Sequence, residues 1–169
     1  MVWLLLDLAL IATIFLAQPL VLGKEPVTLP LVTLEDRSLR QRLVEVARSP
    51  SQNVVLVLNG VESNIRPEAS WEVHVEPAGV SPDVRDSSLV GVVSLFDRGI
   101  RSAEGQAREP AQFFFALDTA IATAGERALQ VRFVPISGVV DRGGPQAAEV
   151  RANVTIREIS LAIETAPRP

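Results

Sequence analysis

The chain has 169 residues, one histidine, no cysteine and a formal net charge of −4. That length suits one domain with a core of its own, once an apolar leader is set aside. The missing cysteine excludes a disulfide framework, a thiol nucleophile and an Fe–S cluster, and it leaves the redox compartment open. A net negative chain with scattered arginines argues against nucleic acid as a partner, since phosphate binding needs a clustered basic face.

The chain divides into an apolar leader over residues 1–17, a folded domain over 18–165 and a loose tail over 166–169. From Val2 to Leu22 the one ionisable residue is Asp7. Three readings of this stretch stand side by side. A membrane span through residues 2–22 needs about 20 apolar residues, but residues 2–17 give only about 24 Å of helix, and Pro19 stands in the way of more. A secretory signal needs a basic start, which is absent, and Ala17 in "FLAQP" gives a poor cleavage site. In the third, Met1 to Phe15 is a segment that packs on something else, or a product of where the chain was started. Localisation stays open between them.

"PLVLGKEPVTLPLV" (Pro19 to Val32) carries three prolines at spacings that forbid a helix, so it reads as extended edge strand or polyproline-like chain. "EDRSLRQRLVEVARSPS" (Glu35 to Ser51) fits a short helix: Leu39, Leu43, Val44 and Val46 line one face, and Pro50 stops it. "NVVLVLNGV" reads as a central strand with a turn-like Asn59-Gly60. "SWEVHVEP" alternates, with Trp71, Val73 and Val75 on one face and Glu72, His74 and Glu76 on the other. "AGVSPDVRDSS" is a loop. "LVGVVSLFD" is a strand in which Gly91 marks a bulge or a close contact.

"RGIRSAEGQAREP" is a polar connection, and "AQFFFALD" an aromatic-rich strand. "TAIATAG" fits one short helix with Asp118 or Thr119 as N-cap and Gly125 after its end. "RALQVRFVPI" turns Leu129, Val131 and Phe133 inward. "SGVVDRGGPQAAE" is a loop, and "VRANVTIREISLAIE" closes the domain as one long bent strand or two. About seven strands with turn signals and one or two short helices predict an all-β fold: an antiparallel β-sandwich, jelly-roll-like.

No catalytic constellation emerges. Glu72 and Glu76 flank His74, a geometry that holds a hard cation weakly, but the stripe reads as a solvated outer face. Zinc or copper on one histidine without cysteine would be atypical. Ser70, Ser94 and Ser137 have no base-and-acid context, and no G-x-S-x-G motif occurs. Asp83, Asp86 and Asp97 lie in or beside loops and read as surface charge. "RGGPQ" at Arg142 lacks the spacing of a phosphate loop. Phe113, Phe114 and Phe115 alternate, which suits core packing better than a ligand platform. "NVT" at Asn153 matches a glycosylation acceptor inside an expected strand. No catalytic, cofactor-binding or metal residue is therefore assigned, and the chain reads as a module that packs, binds or covers. A membrane-anchored or exported binding module of unrelated function is the alternative.

The order of segments carries a resemblance. "PLVLGKEPVTLPL", "VVLVLNGVESNIRPEASWEVHVEP", "LVGVVSLFD", "FFFALDTAIATAGERALQVRFVPISG" and "VRANVTIREISLAIE" resemble, in that order, segments of the C-terminal domain of polyphenol oxidases and bacterial tyrosinase-like proteins. The resemblance covers about residues 18 to 164. It implies a β-sandwich that is not itself an enzyme and holds no cofactor. The copper would belong to a separate catalytic domain, the implied partner, where two sets of three histidines bind it. In latent members the C-terminal domain covers the catalytic pocket until proteolysis removes it. The chain departs from the pattern at Ile136, where a basic residue is common, and no pocket-plugging residue is carried over.

Overall fold

The computed structural model describes residues 8–14, 18–63, 69–79, 88–95, 109–137 and 154–165. Within them the chain forms ten strands and two helices. All strand pairs are antiparallel, and they make two sheets. The fold is an all-β antiparallel sandwich.

The larger sheet is built around β4 (Gln52–Ser63). Its valines and leucines suit a pleated surface buried on both faces. On one side β4 pairs with β10 (Glu158–Thr165) and, further along, with β9 (Val154–Ile156); on the other it pairs with β7 (Ala111–Ala116). The smaller sheet runs β3 (Val27–Val32), β8 (Leu129–Ser137), β5 (Ala69–Pro77), β6 (Leu89–Val93). The core lies between the sheets. Val54, Leu56 and Leu58 of β4 and Ile159, Leu161 and Ile163 of β10 face Trp71, Val73 and Val75 of β5 and Val131 and Phe133 of β8, all buried. The inward set expected on β5 and β8 is the one observed, because period-two alternation decides the faces of a strand.

There are ten strands where the sequence suggested about seven. The proline-punctuated stretch splits at Gly23 to Pro26 into β2 (Leu20–Leu22) and β3, one at the edge of each sheet. Edge positions accept Pro30, which has no N–H for a neighbour. The closing run breaks at Arg157 into β9 and β10. The third addition comes from the apolar leader: Leu8–Ile14 is a strand, β1, paired with β10. A continuous apolar run has no periodicity to separate strand from helix, and the edge of β10 takes up the backbone groups along one side of it. Among the described residues no helix is long and apolar enough to cross a membrane.

Asn59-Gly60 is not a turn. β4 passes straight through it as a bulge, with Gly60 at φ 65°. The register with β7 steps from Leu58↔Phe113 to Val61↔Ala111, so two residues of β4 oppose one of β7. On the other side Arg157 N–H donates to the Asn59 carbonyl at 3.1 Å. The bulge thus coincides with the change of partner from β10 to β9.

The helix α1 (Arg37–Ala47) buries Leu43, Val44 and Val46 as its spacing predicts. Arg40 anchors its start by donating to the carbonyls of Leu34 and Glu126. The second helix, α2 (Asp118–Ala124), ends at Gly125 with φ 61°, as expected. Its start differs from expectation. Neither Asp118 nor Thr119 caps it: the N-cap position is Leu117, with no side-chain cap bond. Asp118 Oδ1 instead accepts the backbone N–H of Val54 at 3.0 Å, while Leu117 N–H donates to the Val54 carbonyl at 2.8 Å. The carboxylate closes the β4–β7 ladder and pins α2 to β4. Asp118→Ala strands a buried donor and is expected to cost about 1–3 kcal/mol. Asp118→Asn, which keeps an acceptor, should cost clearly less. Urea unfolding of both variants checks this, and equal midpoints for the two would contradict it.

Gly91 is a close contact between the sheets. A Cβ there would run into ring atoms Cδ1 and Cε1 of Phe115 on β7. Phe115 is buried and stacks on Phe113, with centroids 6.3 Å apart, while Phe114 points outward. Gly91→Ala should cost about 1–3 kcal/mol through overpacking. In a Phe115→Leu background the added cost should shrink, because the two positions share one space. Thermal melts of the four proteins in that cycle measure it.

Candidate functional site

Glu72, His74 and Glu76, with Gln130, Arg132 and Ser70, gather on the outer face of the smaller sheet. Register places them in rows. Val92, Glu72 and Val134 lie across β6, β5 and β8. Next comes Leu89, His74, Arg132 and Thr28, reaching β3. Beyond that, Glu76, Gln130 and Pro30 align. On the other side of Glu72 sit Ser70 and Ile136, and Ser70 donates to the Ser94 hydroxyl at 2.9 Å.

The Glu72-His74-Glu76 stripe is not the solvated face expected. His74 is 3% exposed and Glu76 4%. Alternation correctly turned them away from Trp71, but partners on β8 and beside β6 allow their burial. Glu76 accepts Gln130 Nε2 at 3.0 Å and Arg132 Nη2 at 3.4 Å. Arg132 Nε lies 3.2 Å from Glu76 Oε1, close enough for an ion pair though misaligned for a hydrogen bond. Buried charge persists where it is paired and hydrogen-bonded in this way.

His74 joins two further groups. Its Nδ1 is 3.1 Å from Ser88 Oγ and its Nε2 3.2 Å from Glu72 Oε2. Ser88 sits where it does because its carbonyl accepts the N–H of Val75 at 2.8 Å. Ser88, His74 and Glu72 thus form a hydroxyl–imidazole–carboxylate chain that the sequence did not reveal. A nucleophilic serine must meet a substrate carbon. Ser88 is 7% exposed and its hydroxyl is turned to the imidazole. The chain therefore fixes the ring and ties the start of β6 to β5.

Among the described residues no group of three or more His, Asp or Glu side chains converges as metal ligands. Glu72 and Glu76 turn to different partners on either side of His74. Asp83, Asp86, Asp97, Arg142 and Asn153 lie outside the described residues, and Ser137 ends β8. A groove of about 440 Å³ runs beside edge strand β3, lined by Thr28, Pro30, Leu34, Glu35, Ala128 and Gln130 among others. It holds no constellation of reactive groups.

No family model matches the chain, and no curated protein matches it. Solved structures do. A latent aurone synthase (polyphenol oxidase) from natural source aligns with a TM-score of 0.57 at 15% identity, over 95% of this chain and 29% of that one. The fold is similar to part of a latent polyphenol oxidase. The recombinantly expressed latent enzyme aligns at 0.51 with 15% identity, and its form co-crystallised with hexatungstotellurate(VI) at 0.52 with 14%. In both, the match again covers 95% of this chain and 29% of the other. The chain therefore spans under a third of the length of the polyphenol oxidases it matches. At this identity the likeness is one of fold.

Proposed function

We propose that this chain is a non-catalytic β-sandwich module that docks on a tyrosinase-type copper catalytic domain and shields its active site. The observation that carries the reading is the overlay of 95% of this chain on 29% of a latent polyphenol oxidase. The match is to a fraction of a larger enzyme, and it agrees in family with the resemblance in segment order. The residues support the same reading. A copper pair held by two sets of three histidines cannot be built from a sequence with a single histidine. That histidine, His74, is engaged by Ser88 and Glu72 within the module's own outer face.

The module's contribution would be steric and non-covalent: it excludes substrate by covering a pocket that another domain supplies. The test uses a tyrosinase-type copper domain from the same source, mixed with this chain and followed by size-exclusion chromatography with light scattering. An equimolar complex is expected. Separate elution of the two proteins well above micromolar concentration would count against the reading.

A further inference from the structure

We infer that the module docks through the outer face of its smaller sheet, where exposed apolar side chains surround the Glu72 carboxylate. The inference rests on the proposed function and names the surface and the chemistry of its partner: an arginine set among apolar side chains on the copper domain.

Isolated exposed apolar residues are ordinary, whereas clustered ones rimmed by polar groups are the usual make-up of an interaction surface. Leu89 is 46% exposed, Val92 41% and Ile136 37%. All lie on the outer face of three adjacent strands. Val92 and Val134 stand directly opposite Glu72 on either side, and Leu89 and Ile136 are the partners of its near neighbours His74 and Ser70. The Glu72 side chain is 34% exposed, and among the described residues its partner is His74, bonded through Oε2. The ring of His74, its neighbour on the same face of β5, holds the carboxylate in place and is itself bonded to Ser88. The surface thus offers a rigid, pre-oriented anion inside an apolar rim.

Charge complementarity selects the occupant. The nearby cation Arg132 is already engaged by Glu76, so Glu72, which bonds only His74 among the described residues and stays partly exposed, is the carboxylate of this cluster left open to a cation from outside. Arginine suits it best. Its planar fork meets a carboxylate through two donors, and it lies flat over apolar neighbours better than lysine. Arginine and buried apolar anchors are also what interface centres favour.

The experiment measures binding of the full chain to the copper domain from the same source, at several salt concentrations. Val92→Asp and Ile136→Asp should each weaken Kd by about tenfold or more, as loss of a central contact does. Glu72→Gln keeps an acceptor for His74 but removes the charge; it should weaken binding and flatten its salt dependence. Val21→Asp, at an exposed position on edge strand β2 of the other sheet, should bind like the unmodified chain. Val92→Thr stands in if the aspartate variant fails to melt cooperatively. Wild-type affinity in the face variants would overturn the surface while leaving the proposed function standing. Absence of binding by the unmodified chain would overturn both. Self-association of the chain lost in Val92→Asp would overturn the occupant, making it a second copy.

Discussion

Trp71→Ala is expected to remove about 3–5 kcal/mol of stability, the largest loss from any single apolar side chain among the described residues. Trp71 is fully buried on β5, between Val93 of β6 and Pro135 of β8. Among the described residues it heads the fully buried side chains by volume, so its removal leaves the largest cavity of any single truncation there. Close-packed walls relax only in part around such a void. The indole also has a polar task. Its Nε1–H donates to the Gly23 carbonyl at 3.1 Å, in the link between β2 and β3. Those two strands belong to different sheets, so the bond ties down a crossover between the layers. Trp71→Phe keeps most of the volume and loses that bond, and should cost about 1–3 kcal/mol. Urea unfolding of the pair separates the two contributions. Equal losses in the alanine and phenylalanine variants would show that the hydrogen bond, and not the volume, dominates.

Glu76→Ala should be comparably damaging, at about 3–5 kcal/mol, for a different reason. The Glu76 carboxylate is 5% exposed and the Arg132 side chain 13%. Removing the acid leaves a guanidinium with little water and strands the Gln130 amide. The loss therefore measures an uncompensated charge more than a lost attraction. The consequence is that Glu76→Leu combined with Arg132→Met should be far less harmful than Glu76→Ala alone, because no unpaired charge remains. The same unfolding experiment tests it. A double variant as unstable as the single one would mean that the pair itself holds β5 to β8.

These two cases also mark what could be read from the sequence. Trp71 was legible: alternation along β5 places it inward without knowledge of any partner. The same holds for Leu129, Val131 and Phe133 on β8, for the apolar face of α1, for Gly125 after α2 and for Gly91 as a close contact. Each follows from local spacing or from one residue's backbone freedom. Glu76 and His74 were legible only as outward-facing. Their burial depends on Gln130, Arg132 and Ser88, and the bond from Gln130 to Glu76 spans 54 residues. No local pattern carries that register.

Asp118 shows the same limit. Its position before a short helix suggested a cap, but its partner, Val54 N–H, lies 64 residues away. Asn59-Gly60 has the composition of a turn, and only the exchange of β10 for β9 as neighbour turns it into a bulge. For β1, a run of apolar residues fits a helix or a strand equally, and the edge of β10 decides. The candidate site was less legible than the fold, because the sequence named His74, Glu72 and Glu76 but gave no sign of Ser88 or of the apolar rim formed across three strands.

The central claim is that this module covers an active site it does not contain. The most direct measurement is the rate of diphenol oxidation by the tyrosinase-type copper domain from the same source, titrated with this chain. The rate should fall towards zero as the chain approaches equimolar amounts and return once a protease has degraded the chain. A rate unchanged by an excess of the chain, at concentrations where the two proteins form a complex, would contradict it.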